Sequence, residues 1–199
     1  MFNKSIGSSR EGKLILIIGP SGSGKGVVIR SLKKNYSSYI FPISCTTRLP
    51  RPGERDGEVY HFISRDDFLK RIERGDFLEW AIVHHDHYYG TLKEPILDAL
   101  SGGKILVREV DVQGMNSILK ILPKDQVVTI FLTTPSWEIL QARILHRHKE
   151  TEHELIQRKI SFEKELEESK KCDYIVHSLE GQIPKMVSEI EKIIQKETS

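Results

Sequence analysis

Apolar runs and helical stripes alternate along most of this chain. The runs Leu14–Ile18, Tyr39–Ser44, Ile105–Val112, Val127–Leu132 and Tyr174–Val176 show little of the in-and-out alternation of a half-exposed strand, so each predicts a strand covered on both faces. Helical patterns follow at Val27–Lys34, Ser117–Ile121, Trp137–Leu145 and Ile183–Lys196. The last sets Ile183, Met186, Val187, Ile190, Ile193 and Ile194 on one stripe, as a helix docked on a sheet requires. The pattern predicts an α/β fold, a parallel five-stranded sheet with helices on both faces.

Two stretches break that alternation. Residues 45–92 are turn-rich, with Pro50, Pro52, Gly53 and Gly57, and carry short strand-like pieces at Val59–Ile63 and Phe77–Val83. Ser64-Arg65-Asp66-Asp67 has the form of a capping box before a helix over Phe68–Glu73, with Gly75 as its stop. These residues predict a small mixed α/β insertion; Pro95 and Gly102-Gly103 then bracket a helix returning to the core. The core is accordingly expected over 13–44 and 93–199. The second exception is Glu152–Lys171, where Leu155, Ile156, Ile160, Phe162 and Leu166 are scattered among charged residues. Such a helix buries little, and with the polar stretch His146–Thr151 before it predicts a mobile helical lid over about 143–170.

Composition narrows the classes. The 199 residues carry a net charge of only +2, which gives no global field for nucleic acid or an anionic membrane. No segment reaches the roughly 18 apolar residues of a membrane span. Residues 1–12 have no apolar signal region and read as a flexible tail. Cys45 and Cys172 form neither a disulfide framework nor a zinc spacing, so the chain reads as cytoplasmic.

Anion binding must therefore be local, and the sequence offers two places for it. Gly19-Pro20-Ser21-Gly22-Ser23-Gly24-Lys25, followed by Gly26-Val27, lies between a predicted strand and a predicted helix. In that context the G-x-x-x-x-G-K spacing turns successive N–H groups toward a phosphate chain, the helix adds its positive end, and Lys25 adds a point charge. The pattern departs from a full P-loop in one respect: Gly26 and Val27 supply no hydroxyl for a metal ion. The second place is Ser44–Glu54, where Arg48 and Arg51 sit in a proline-braced segment suited to bidentate phosphate binding. Tyr60, Glu79, Tyr89 and Thr91 follow. Tyrosine hydroxyls can complete a phosphate shell. A carboxylate can accept from the N1–H and N2–H₂ edge of guanine, a donor pair that adenine lacks, while a Ser or Thr hydroxyl donates to O6. His84, His85, Asp86 and His87 are adjacent on a predicted loop and, with no partner cluster, read as solvated. Trp80 and Trp137 read as packing residues.

These motifs together resemble the guanylate kinase family. The matches are G-P-S-G-x-G-K at Gly19–Lys25, S-x-T-T-R-x-P-R-x-G-E at Ser44–Glu54 and D-G-x-x-Y-x-F at Asp56–Phe62. They continue, in the family's order, with F-L-E-W-A at Phe77–Ala81, Y-Y-G-T at Tyr88–Thr91 and E-x-D-x-Q-G at Glu109–Gly114. The resemblance implies transfer of a phosphoryl group from ATP to GMP, with Mg²⁺ as cofactor, in a monomer or homodimer. It implies that Gly19 through Val27 bind ATP. Arg48, Arg51, Tyr60 and Tyr89 would hold the GMP phosphate, Ser44, Glu79 and Thr91 would read guanine, and Glu109 would lie at the base and ribose. Asp111 would lie near magnesium-bound water. Arg143, Arg147 and Arg158 match lid arginines that, with Lys25 and Arg48, serve catalysis.

The lid reads His146-Arg147-His148-Lys149 where the family commonly has G-R-G-T, and Ser178 stands where Asn is frequent near adenine. A competing reading is a family member that has lost catalysis and grips a phosphopeptide with the same arginines. The missing hydroxyl favours it; the intact glycine loop, Lys25 and the three lid arginines speak against it. Another P-loop kinase would leave Glu79, Thr91 and Glu109 unexplained.

Overall fold

The computed structural model describes residues 12–83, 86–147 and 149–199. The expected tail up to Glu11, and His84, His85 and His148, lie outside the described residues.

A four-stranded parallel sheet forms the centre, ordered β6-β1-β7-β8 from β1 (Lys13–Ile18), β6 (Ile105–Glu109), β7 (Val127–Thr133) and β8 (Tyr174–His177). Alternate residues of β1 feed two different cores, as a strand covered on both faces must. Leu14, Leu16 and Ile18 pack with Met115, Ile118 and Leu100, under α3 (Lys93–Ser101) and α4 (Val112–Leu119). Ile15 and Ile17 pack with Val28, Leu32, Met186 and Ile190, under α1 (Lys25–Asn35) and α7 (Ile183–Glu197).

The fifth strand expected at Tyr39–Ser44 shrinks to one parallel bridge, Ile40 to Leu106. Ile40 donates to Ile105 O and accepts from Val107 N, both at 2.9 Å, and the ladder stops there. Two residues on stands Pro42, which has no N–H to give the next rung. The chain leaves the central sheet at that point. The predicted strand over Ile105–Val112 likewise ends at Glu109, because Asp111 caps α4, its side chain accepting from Gly114 N at 2.7 Å.

A second sheet is ordered β3-β2-β5-β4, from β2 (Ser44–Thr46), β3 (Tyr60–Phe62), β4 (Phe77–Val83) and β5 (His87–Leu92). It packs Cys45, Phe68, Phe77 and Tyr88 against α2 (Arg65–Glu73), with the Phe68 and Phe77 rings stacked 4.3 Å apart. Gly90 lies where a Cβ would meet Phe77, Phe68 and Trp80 at 2.9–3.0 Å, so the strand closes over this aromatic core only with glycine. Helices α5 (Trp137–Arg147) and α6 (Glu152–Glu168) share a small cluster of Trp137, Leu140, Ile144 and Phe162. Thr151 and Glu154 form a reciprocal capping box at the start of α6, which opens at Glu152 as the sequence pattern predicts. As expected, α6 buries little: Phe162 alone is fully covered, and Ile156, Ile160 and Leu166 are exposed.

Candidate active site

A cleft of about 890 Å³ separates the two sheets, lined on one wall by Gly19, Gly24, Lys25 and Gly26 and on the other by Glu79, Trp80 and Ala81. Glu109 at the end of β6, Asp111 at the start of α4 and Glu165 of α6 complete it.

The glycine loop links β1 to α1 with Gly19, Gly22 and Gly24 at φ of 140°, 93° and 107°. A Cβ at Gly19 would lie 2.0 Å from Leu132 O, so neither the conformation nor the space admits a side chain. The first N–H groups of α1 have no carbonyl partner within the helix and add the positive end of its dipole. Lys25 Nζ donates to Gly19 O at 2.6 Å and Pro20 O at 3.1 Å, and approaches Glu109 Oε1 at 3.8 Å. Burial draws the Lys25 ammonium below its ordinary pKa, while Glu109, Glu165 and Asp111 pull it back up. Gly26 is unlike the other loop glycines: a Cβ there would meet only Arg30 Nη1, at 3.5 Å.

In the second sheet and its loops the expected residues form two groups; of them Glu79 lines this cleft, while Ser44 and Tyr60 line a neighbouring hollow of about 550 Å³ that Arg108 and Glu109 share with it. In the first, Arg48 pairs with both oxygens of Glu54, Nη1 at 2.9 Å and Nη2 at 3.0 Å, and Nη1 also donates to Leu49 O. The Arg48 guanidinium lies 5.5 Å from the Tyr60 ring centroid, and the Tyr60 and Tyr89 rings meet edge to face. Arg51 stands exposed, its backbone N–H held by Glu54. In the second group, Thr91 Oγ1 donates to Glu79 Oε1 at 2.6 Å, on adjacent strands β5 and β4. Ser44 joins them through Arg108, whose Nη2 donates to Ser44 Oγ at 3.1 Å and Glu79 Oε1 at 2.6 Å.

The two described arginines of the expected lid have separate partners. Arg143 donates to Ser178 Oγ at 2.8 Å and to Ser178 O at 2.9 Å, and Arg158 pairs with the nearly covered Glu150 at 2.8 Å. Arg147 is the last residue of α5, and its side chain lies outside what is described.

The family model for guanylate kinase matches residues 11–197. The chain belongs to the guanylate kinase family. It is 42% identical over 180 residues to a guanylate kinase of Thermotoga maritima, covering 89% of this chain and 86% of that protein. A guanylate kinase of Caldanaerobacter subterraneus is 42% identical over 185 residues, covering 93% and 87%. A crystal structure of guanylate kinase from Anaplasma phagocytophilum has the same fold, with a TM-score of 0.71 at 24% identity over 95% of this chain and 87% of that one. Like its relatives, the chain is an ATP-dependent nucleoside monophosphate kinase.

Three guanylate kinase cleft residues were not legible beforehand. Arg108 announces itself only as a charge inside an apolar strand, and Glu165 only as one acid among many on α6. Trp80, expected to pack, does so against Tyr88, with ring centroids 6.1 Å apart, but is 45% exposed and also lines the cleft. Among the described residues no group of three or more His, Cys, Asp or Glu could hold a metal ion by itself. Asp111 gives one oxygen to Gly114 N, which leaves the other for a water ligand. That donor set suits Mg²⁺, which keeps several waters and binds through substrate phosphates.

Proposed function

We propose that this chain transfers the γ-phosphoryl group of ATP to GMP, and to dGMP, giving ADP and GDP in cytoplasmic purine nucleotide metabolism. The observation that carries the reading is the single cleft in which Lys25 and its glycine loop face Glu79. In this account residues 45–92 are the GMP-binding insertion of a core formed by 13–44 and 93–199, and the lid spans about 143–170.

Free backbone N–H groups within the Gly19–Val27 loop cradle the ATP phosphates, and Lys25 Nζ turns from the loop's own carbonyls to the outer phosphate oxygens. Arg48, Arg51, Tyr60 and Tyr89 hold the GMP phosphate. Ser44 and Glu79 read the base directly and Thr91 through its hydrogen bond to Glu79, with Glu109 beside the ribose. A GMP phosphate is already anionic at neutral pH, so no strong general base is required. The protein's task is to align two mutually repelling phosphates and spread the charge of the transferring group. Arg143 and Arg158 must exchange Ser178 and Glu150 for phosphate as the lid closes and, with Arg147, exclude water. Mg²⁺ would be held by the ATP phosphates and by water on Asp111, and neutralises phosphate charge when bound.

A coupled assay of ADP formation, offering ATP with GMP, dGMP, AMP, CMP and UMP in turn, tests this. Turnover is expected with GMP and dGMP only. Activity with AMP and none with GMP would overturn it.

A further inference from the structure

We infer that Arg108 is the positioning residue of the purine-reading site, and that guanine selectivity in this chain depends on it. The inference rests on the GMP reading above and adds a group to it.

Arg108 rises from β6, whose preceding residues Leu106 and Val107 are both buried in the two cores. Its side chain is 10% exposed and that of Glu79 12%, so the pair at 2.6 Å is largely removed from water. Nε of Arg108 is buried and has no hydrogen-bond partner. Burying such a pair, with one donor left over, is costly, and an apolar residue at this point in an apolar strand would cost less. Stability therefore does not explain the arginine, whereas its contacts do.

The hydrogen-bond inventory shows what it accomplishes. Glu79 Oε1 accepts from both Thr91 Oγ1 and Arg108 Nη2, which anchors that oxygen and leaves Oε2 to face a base. Thr91 spends its one hydroxyl hydrogen on Glu79, so it cannot also donate to a purine O6. Ser44 Oγ, in contrast, accepts from Arg108 Nη2 and keeps its own hydrogen free to donate. One guanidinium nitrogen thus sets the two complementary halves of the readout: an anchored acceptor for the guanine N–H edge and an oriented donor for O6. Without it, both side chains regain rotamer freedom.

The test compares the intact wild-type chain with Arg108→Leu, Arg108→Lys and Glu79→Gln, using GMP and inosine monophosphate, which keeps O6 and N1–H but lacks the 2-amino group. Arg108→Leu is expected to raise the GMP KM about tenfold or more, with the ATP KM unchanged, since a hydrogen bond to a charged group is lost. The ratio of kcat/KM for GMP over inosine monophosphate should fall with it. Arg108→Lys keeps the charge and fold and should recover part of both losses. A lysine variant that turns over ATP and GMP with an unaltered GMP KM and ratio, while Glu79→Gln impairs both, would overturn this inference alone. A GMP KM lowered by Arg108→Leu would also overturn it, by showing competition with the base. Indifference of wild type and Glu79→Gln to the identity of the purine would overturn the GMP reading and this inference together.

Discussion

Glu54 grips Arg48 end-on, one carboxylate oxygen to each terminal nitrogen, at 2.9 and 3.0 Å. Arg48 Nη1 spends its second hydrogen on Leu49 O, at 2.7 Å. Of the five guanidinium hydrogens, the pair along the Nε–Nη2 edge serves neither of these acceptors; with Tyr89 close to the guanidinium, that edge is a fork that matches two phosphate oxygens. The acid thus holds the arginine without occupying its phosphate-binding edge, and also fixes the Arg51 backbone.

Replacing Glu54 with Gln should therefore raise the GMP KM about tenfold, as charge-assisted pairing becomes an ordinary hydrogen bond, while the ATP KM stays put. The Arg48 guanidinium and then the Arg51 N–H hold the Glu54 carboxyl below its usual value. A group with a depressed folded pKa contributes above its ordinary titration range and loses that contribution as pH falls through the lowered value. GMP binding measured by calorimetry at pH 5 should consequently still show the wild-type advantage over Glu54→Gln.

Gly26→Ser fills a place where the added Cβ meets only the movable end of Arg30. It restores an oxygen at the start of α1 beside the phosphate loop. Its expected effect is a fall of several-fold in the ATP KM at limiting Mg²⁺, shrinking as Mg²⁺ is raised. Kinetics superimposable on wild type across a magnesium titration would count against the account of the metal.

Burial is the main force on Lys25, and it lowers the ammonium's pKa from its usual 10.5. Since the charged form is the one that binds phosphate, the alkaline limb of kcat/KM for ATP should begin below that value. Glu109 opposes the shift, so Glu109→Gln should move the limb to still lower pH. A limb displaced upward by this change would mean that another group is being titrated.

Much of this fold is legible in the sequence because local and global signals agree. The run at β1 from Leu14 has no polar interruption, that at β7 has Thr129 alone before its last residue Thr133, and both are covered on both faces. The stripe of α7 places Met186, Val187, Ile190 and Ile194 in the core. Ser64 accepts from Asp67 N at 3.0 Å, the N-cap its pattern predicts, though the helix opens earlier, at Arg65. Strand β5 was legible only as a binding motif: Tyr88 and Gly90 share the face against the aromatic neighbours, and only pairing with β4 gives that pattern meaning. Site residues on the glycine loop follow from spacing. The contacts of Arg108 do not, because Ser44, Glu79 and Arg108 are far apart in the chain and are joined only where the second sheet meets β6. The partners of Arg143 and Arg158, Ser178 and Glu150, are equally invisible to sequence, being set by tertiary contacts.

The most direct measurement is calorimetric titration of the intact chain with a bisubstrate compound in which adenosine and guanosine are joined by a phosphate chain. The account predicts one molecule bound per chain, far more tightly than ADP or GMP alone, because one linked ligand fills both halves of the cleft. Lys25→Ala and Glu79→Gln should each weaken it. Binding of two molecules per chain, or binding no tighter than that of either nucleotide alone, would contradict it.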